Sequence, residues 1–190
     1  MKKNSGLMVV GIILVVIVII VAIFAGAYNG MVRAEEDVNE KWANVQGQYQ
    51  RRADLIPNLV ETVKGYAKHE DETLTKIAAM RSGYSEAKNP EQLQKLDNEL
   101  SRQINIVVEN YPELKANENF LKLQDELAGT ENRIAVARKD YNEVVISFNK
   151  RIRTFPRNLV AGMFGFEKKQ PFEAAPGSDT APSVDFSFDN

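Results

Sequence analysis

Residues 6–27 of the chain read GLMVVGIILVVIVIIVAIFAGA, a stretch without any charged side chain. A helix of about 20 apolar residues, rising about 1.5 Å per residue, crosses the hydrocarbon core of a bilayer. Summed over the Leu, Ile, Val and Phe side chains, insertion is favourable by about 5 kcal/mol. The stretch predicts a transmembrane signal-anchor over residues 6–27, which contacts lipid through Leu7 to Ala27 and follows a short tail of residues 1–5.

The flanks of this stretch bear on its cleavage and its orientation. Lys2 and Lys3 precede it, and Ala25-Gly26-Ala27 has the small residues of a signal-peptidase site. The apolar run is longer than the roughly 7–15 residues of a signal-peptide core, so we expect it to be retained. Acidic residues follow Arg33 on the other side. This bias of Lys and Arg places the N-terminus in the cytoplasm and the helical body outside.

Composition limits the class of protein. The chain has 190 residues, 24 basic and 26 acidic side chains and a net charge of −2. Because this balance gives no field that attracts nucleic acid, no nucleic-acid partner is expected. The absence of cysteine excludes disulfides, thiolate metal sites and cysteine nucleophiles. Glycine and proline are sparse between Arg33 and Lys150, which favours an all-α fold.

Apolar residues recur at spacings of three and four from Tyr28 onward, the pattern of amphipathic helices and of coiled-coil seams. Asparagine before proline, and proline after an apolar seam, mark where such helices begin and end. The predicted helices are a stalk from Tyr28 to Ala53, a second helix ending near Ser82-Gly83, a third from Asn89-Pro90 to Pro112, and a fourth from Asn117 to Phe155.

The connections between these helices predict their arrangement. Asp54 is a good N-cap and Pro57 suits a first turn, which predicts a tight turn there; a kink is the alternative. Four amphipathic helices with short connections favour an antiparallel up-down four-helix bundle over residues 28–166, continuous with the transmembrane helix. The Pro-, Ala-, Ser- and Asp-rich composition that follows predicts a disordered acidic tail over residues 167–190.

A basic and aromatic segment ends the fourth helix. If that helix returns to the membrane, arginines can lie at headgroup level while aromatic side chains dip below it. The alternative is that the apolar side chains, with Leu159 and Val160, cap the base of the bundle core. The residues predicted to contact the membrane interface are Arg151, Arg153, Phe155, Arg157, Met163, Phe164 and Phe166.

A second candidate surface lies at the predicted distal turn, residues 51–60, which is farthest from the bilayer. Its candidate partner-binding residues are Arg51, Arg52, Asp54 and Asn58, and the alternative is a plain helix connection. Charges also fall on the apolar seams, where buried ion pairs fix helix register. These seam charges are Glu35, Arg52, Glu70 and Arg81. Near the end of the chain, Phe186 and Phe188 are either a docking strand for a partner or part of an unspecific tail.

The sequence carries no motif for catalysis. It has no P-loop, no dinucleotide-binding or nucleophile-elbow glycine pattern, and no zinc-protease helix. His69, followed by three acidic residues, is the one cluster of potential metal ligands, and with a single histidine a di-iron bundle site cannot be assembled. We therefore expect no catalytic residue, no cofactor and no metal.

Several blocks closely resemble the LemA family. They are QYQRRADLIPNLV (Gln48–Val60), VKGYAKHE (Val63–Glu70), YPELKANENF (Tyr111–Phe120), LQDEL (Leu123–Leu127), TENRI (Thr130–Ile134) and ARKDYN (Ala137–Asn142), with Tyr28-Asn29, Trp42, Phe155-Pro156, Gly165-Phe166 and Phe172-Glu173. The resemblance implies a single-pass bacterial membrane protein with a four-helix bundle domain, and it does not imply an enzyme. We expect the protein in the bacterial inner (cytoplasmic) membrane. It also implies an outside N-terminus, opposite to the orientation that the charges favour.

Two functions remain open on this basis. The first is a non-catalytic scaffold or adaptor that binds unidentified partner proteins or organises membrane, with a homo-oligomer left open. The second is a sensor or signalling accessory that transmits changes in bundle packing through the stalk helix. A glycine insertion near Ala34 would separate them, since a scaffold tolerates a broken stalk and a transmitter does not.

Overall fold

The computed structural model describes residues 5–66 and 71–173. Every regular element within these residues is helical and none is a strand, which confirms the all-α prediction. His69, Glu70, Lys2, Lys3, Phe186 and Phe188 lie outside the described residues. The elements are α1 (Ser5–Ala53), α2 (Ile56–Lys64), α3 (Asp71–Glu86), α4 (Pro90–Asn110), a 3-10 turn (Pro112–Ala116), α5 (Glu118–Arg151) and α6 (Arg157–Phe164).

Helix α1 runs unbroken from the apolar stretch into the body of the molecule. Its 49 residues give a length of about 73 Å. Side chains from Leu7 to Ile23 are exposed, and this part has a mean hydropathy of 3.7. By length and composition, α1 is the one helix in the described part of the chain that could cross a membrane. One face is buried from Ala27 onward, so the predicted continuation of the apolar helix as a stalk is confirmed.

Helix α5 packs antiparallel along α1. The Trp42 ring on α1 lies 5.4 Å from the Tyr141 ring on α5, and Arg52 pairs with Glu131 farther along. Trp42 precedes Arg52 by ten residues in α1. Tyr141 follows Glu131 by ten residues in α5. The register of the two helices is therefore constant, and α5 returns toward the apolar end of α1.

The break between α1 and α2 is a kink. The Asp54 N–H still donates to the carbonyl of Gln50, and Leu55, the residue before α2, has helical dihedral angles and no side-chain cap. Tyr66, beyond α2, accepts a hydrogen bond from Asn117 just before α5, so α2 continues in the direction of α1. The predictions of a tight turn and of an Asp54 N-cap are therefore wrong. Pro57 lacks the N–H that would complete the helix, which explains the kink.

Helix α3 runs back along α1, and α4 lies against α3. Arg81 pairs with Asp54 at 3.7 Å, and the Tyr84 ring stacks on Tyr49 at 5.8 Å. The predicted end of this helix at Ser82-Gly83 is wrong, because α3 continues to Glu86. A Cβ on Gly83 would lie 2.9 Å from a methyl group of Leu96 on α4, so the glycine permits this close packing.

The predicted starts of the last two long helices are confirmed. The Asn89 side chain accepts a hydrogen bond from the N–H of Gln92, and Asn117 accepts one from Phe120. The end of the fourth helix is corrected from Phe155 to Arg151. A proline blocks the helical bond to the residue four positions before it, so Pro156 explains why the helix ends before Ile152 and restarts as α6.

Residues 166–173, which we call the strap, leave α6 through Gly165 and run along the surface of α5. Gly165 has a φ of +74°, which suits a glycine that ends a helix. Phe172 is 5% exposed and lies 5.7 Å from the Tyr141 ring. The prediction of a disordered tail from residue 167 is therefore wrong for residues 167–173, and residues 174–190 lie outside the described part.

Candidate functional site

Arg52 lies at a charge centre that joins three helices. Its Nε lies 3.1 Å from Oδ1 of Asp97 on α4, and its Nη1 pairs with Oε2 of Glu131 on α5. Nη2 donates to the hydroxyl of Ser101 at 3.2 Å. Arg52 is 4% exposed, so a partner cannot reach its guanidinium. Its assignment to a partner-binding surface is corrected, and its role as a pairing charge on the helix seam is confirmed.

Two tyrosines extend this centre into the core. The Tyr84 hydroxyl donates to Oδ1 of Asp97 at 3.4 Å, while the buried Tyr49 hydroxyl has no hydrogen-bond partner among the described residues. Burial raises the pKa of Asp97 to about 6, an effect that Arg52 opposes and Glu131 reinforces. Burial also raises the pKa of both tyrosine hydroxyls. Asp97 is the group here whose charge changes nearest to neutral pH.

The other seam charges have partners at different depths. Glu35 pairs with Lys169 of the strap at 2.6 Å, with both side chains partly buried. Arg81 and Asp54 are both exposed, so their pair adds little stability.

The rest of the predicted partner surface is exposed but does not form one patch. Arg51, Asp54 and Asn58 are all exposed. Asp54 faces α3 through Arg81, whereas Asn58 lines an open groove between α2 and α5 with Lys122 and Glu126. Without Arg52, the three exposed residues lie at separate places around the kink between α1 and α2. The prediction that residues 51–60 lie farthest from the bilayer is wrong, because α2 continues beyond the kink to Lys64.

The membrane-interface candidates lie around α6, where some apolar side chains are buried and others are exposed. Val160 and Ala161 are buried against the body. Phe155, Met163 and Phe164 are 76%, 71% and 57% exposed, respectively. The half-buried candidate, Phe166, lies at the start of the strap with its ring 5.8 Å from Tyr28. The arginine candidates Arg151, Arg153 and Arg157 are all exposed.

Sequence reasoning missed the groove that holds the strap. Asn142 and Asn149 of α5 each form two hydrogen bonds with the strap backbone, at Phe172 and Lys169 respectively. The Tyr141 hydroxyl donates to the carbonyl of Gln170 at 3.0 Å. Two asparagines seven residues apart on one helix face are the signal that could have indicated a bound chain. Among the described residues, no group of three or more histidine, aspartate or glutamate side chains is placed to hold a metal.

These features define a helical protein with one candidate membrane-spanning helix that continues into a packed helical body. The chain belongs to the LemA family, whose family model matches residues 41–186, and the predicted membership is thereby confirmed. It is 27% identical over 157 residues to Protein LemA of Metamycoplasma hominis, which covers 80% of this chain and 72% of the relative.

Two further relatives are magnetosome proteins. The chain is 28% identical over 204 residues to Magnetosome protein MamQ 2 of Paramagnetospirillum magneticum, covering 92% of this chain and 74% of the relative. It is 26% identical over 183 residues to Magnetosome protein MamQ of Magnetospirillum gryphiswaldense, covering 80% and 67%.

Proposed function

We propose that this chain is a non-catalytic scaffold or adaptor, anchored by a single pass in the bacterial inner membrane, that presents a helical body to partner proteins or organises membrane. The observation that carries the proposal is the continuity of α1, because the same helix supplies the apolar stretch and the core of the body. A body built on its own anchor is held at a fixed height above the bilayer. The magnetosome relatives support a role at a membrane.

The body proposed here is an antiparallel up-down four-helix bundle, with α1 and α2 together as its first member. Three contacts support it. Helix α3 contacts the kink through the pair of Arg81 with Asp54. Helix α4 contacts α1 through the pair of Asp97 with Arg52. Helix α5 contacts α1 through the rings of Tyr141 and Trp42. One apolar face per helix is buried between these members, as such a bundle requires.

The partner surface proposed is the polar area around the kink, with Arg51, Asp54 and Asn58. Charged and amide groups favour a polar, reversible interface over a permanent apolar one. We propose that the body lies outside the cytoplasm, an orientation that the basic residues before the anchor favour. A second copy of the chain is one partner that this surface could accept.

Photo-crosslinking in living cells tests the scaffold. A photo-reactive side chain at Asn58 should give a discrete protein adduct, which should persist when residues 6–27 are replaced by an unrelated membrane helix. The matched control is Val136, which is also exposed but lies on α5 closer to the anchor. Identical adduct patterns from the two positions, or loss of the Asn58 adduct after anchor exchange, would contradict the proposal.

The second candidate function is a sensor that transmits changes in packing through α1. It is favoured by the unbroken helix between the apolar stretch and the buried Arg52 centre. Ala34 is buried, so an insertion there would also damage packing. Substituting Glu36 and Asp37, both exposed, by glycine weakens the helix by about 2 kcal/mol relative to alanine at both positions without removing a core contact. Both variants are expressed in a strain that lacks the protein. If the chain is a transmitter, the alanine pair restores the phenotype and the glycine pair does not; if it is a scaffold, both pairs restore it.

A further inference from the structure

Helix α6 lies at the level where the apolar stretch of α1 ends. The Tyr28 ring, one residue after that stretch, lies 4.8 Å from the Phe164 ring. On the same face of α1, Ala27 and Met31 are buried and Phe24 packs against the core. Since α1 and α6 are in contact, α6 covers the last turn of the membrane-spanning segment.

The dimensions of a bilayer give the depth of this level. The headgroup region adds about 5–8 Å to each side of the hydrocarbon core. At about 1.5 Å per residue, that thickness corresponds to the four or so residues of α1 after Ala27. Asn149 and Glu35 both contact Lys169, so the α5 residues after Asn149 lie closer to the anchor than Glu35. Arg151 and the turn after it therefore fall near the headgroups.

The two faces of α6 have opposite environments. Val160 and Ala161 are buried, whereas Leu159, Met163 and Phe164 are at least half exposed, and Phe155 is exposed just before the helix. An exposed cluster of large apolar side chains on a protein surface indicates an interaction site. Because this cluster is continuous with the membrane-spanning surface of α1, the bilayer is the partner that covers it.

The charges around α6 fit an anionic lipid surface. Arg151, Arg153 and Arg157 are exposed, and the ion pairs found in the described ranges include none of the three. Guanidinium groups bind phosphate oxygens in pairs of hydrogen bonds, so unpaired arginines at this depth suit lipid phosphates. Glu35, an acidic residue nearby on α1, is already paired with Lys169.

We propose that α6 and the turn before it form an interfacial lipid-binding element. Phe155, Met163 and Phe164 enter the boundary between headgroups and acyl chains, and the three arginines bind the phosphates of anionic lipids. Binding at a second place beside the anchor fixes the tilt of the body on the membrane. This inference rests on the anchoring of α1 in the proposed function.

Depth-dependent quenching in nanodiscs tests the proposal with the full chain. The chain has no cysteine, so single substitutions Met163→Cys, Val136→Cys and Val18→Cys can each carry a fluorophore. Two quenching lipids are used: one with a nitroxide near the top of its acyl chain, which reports on position 163, and one with a nitroxide near the end of its acyl chain, which reports on position 18 at the bilayer centre. We expect strong quenching at positions 163 and 18 and little at position 136, which is equally open to solvent but lies far along α5.

The three positions test the lipid-binding element and the membrane anchoring of α1 separately. Quenching at position 18 without quenching at position 163 overturns the lipid-binding element and leaves the anchor intact; the cluster would then face a protein. An absence of quenching at position 18 contradicts the anchoring itself. Retained helicity by circular dichroism shows that each labelled chain is folded.

A second arm tests the role of the arginines. In phosphatidylcholine nanodiscs, nitroxide-labelled phosphatidylglycerol and phosphatidylcholine are compared at equal mole fraction as quenchers of position 163. Each arginine near the surface contributes about a fivefold preference for anionic lipid, so quenching by phosphatidylglycerol should be the stronger. Replacing Arg151, Arg153 and Arg157 by glutamine should make the two quenchers equal. Equal quenching in the unsubstituted chain overturns the assignment of the arginines.

Discussion

The side-chain amide of Asn142 binds both polar groups of the Phe172 backbone. Its Nδ2 donates to the Phe172 carbonyl at 3.0 Å, and its Oδ1 accepts from the Phe172 N–H at 2.8 Å. A side chain of α5 thereby hydrogen-bonds both the N–H and the carbonyl of a strap residue, as the backbone of a neighbouring β-strand would. The same geometry at Asn149 and Lys169 fixes the strap at two points.

Asn142→Ala should loosen the strap. Both backbone groups of Phe172 lose their partner, which costs about 2 kcal/mol and lowers the hydrogen-exchange protection of its N–H by about 30-fold. Amide exchange read by mass spectrometry on the C-terminal peptide gives the measurement. Glu143→Ala, an exposed neighbour, is the control and should leave the protection unchanged. Equal protection in the two variants would rule out a structural role for the Asn142 amide.

Phe172→Ala should release the strap from the body. Removing a buried phenyl ring costs about 3 kcal/mol, and the body retains its helices because the strap lies outside them. Trp42, the single tryptophan, lies 6.2 Å from the Phe172 ring, so its emission should shift to the red as water reaches it. Gln170→Ala, at an exposed side chain, should leave the emission unchanged. An unshifted spectrum in Phe172→Ala would show that the strap stays bound without this ring.

Arg52→Met should destabilise the body by about 3 kcal/mol, because it leaves the Asp97 carboxylate buried without its cation. The double variant Arg52→Met with Asp97→Leu should recover most of this loss, because an apolar pair needs no ion. Urea unfolding of the full chain in detergent, followed by circular dichroism, measures the difference. A double variant no more stable than the single one would contradict this account of the pair.

The stability of the body should fall as the pH rises through 6. The pKa of Asp97 is about 6 in the folded chain and 3.8 ordinarily, so near pH 5 the folded state holds a proton that the unfolded state has released. The associated stability, about 3 kcal/mol, is fully present below pH 4 and is lost above pH 6. Between pH 5 and pH 7.5 about half of it, about 1.4 kcal/mol, should be lost. Unfolding at these two pH values measures the loss, and Asp97→Asn should remove this part of the pH dependence. An equal slope in both chains would exclude Asp97 as its source.

The orientation in the membrane should place the body outside the cytoplasm. A cysteine at Ser178 should react with an impermeant maleimide in intact cells, and a cysteine at Asn4 should react only after the cells are lysed. Labelling at Asn4 alone would reverse the orientation and move the search for partners to the cytoplasm.

The sequence carried the local signals of the fold and lacked the distant ones. The sequence indicates helix starts at Asn89 and near Asn117, and in the structure each is a cap formed by residues only three positions apart. The kink at Pro57 looks locally the same as a turn, and contacts of α2 with the start of α5 decide between them.

The site was predicted less completely for the same reason. Arg52 was recognised as a pairing charge, but its partners Asp97 and Glu131 resemble ordinary surface acids of amphipathic helices. The strap is ordered by one ring and by amides about 20 to 30 residues earlier in the chain. Composition alone indicates disorder for such a segment, since tertiary contacts supply all of its order.

The strap also decides where the chain beyond it begins. Phe166 lies beside Tyr28 at the anchored end, whereas Phe172 lies against Trp42 and Tyr49, about 20 to 30 Å farther along α1. A reporter or ligation handle fused after Glu173 therefore starts at mid-height on the body. Energy-transfer distances from such a reporter to dyes in the bilayer therefore include the height of Glu173 above the anchored end of the body.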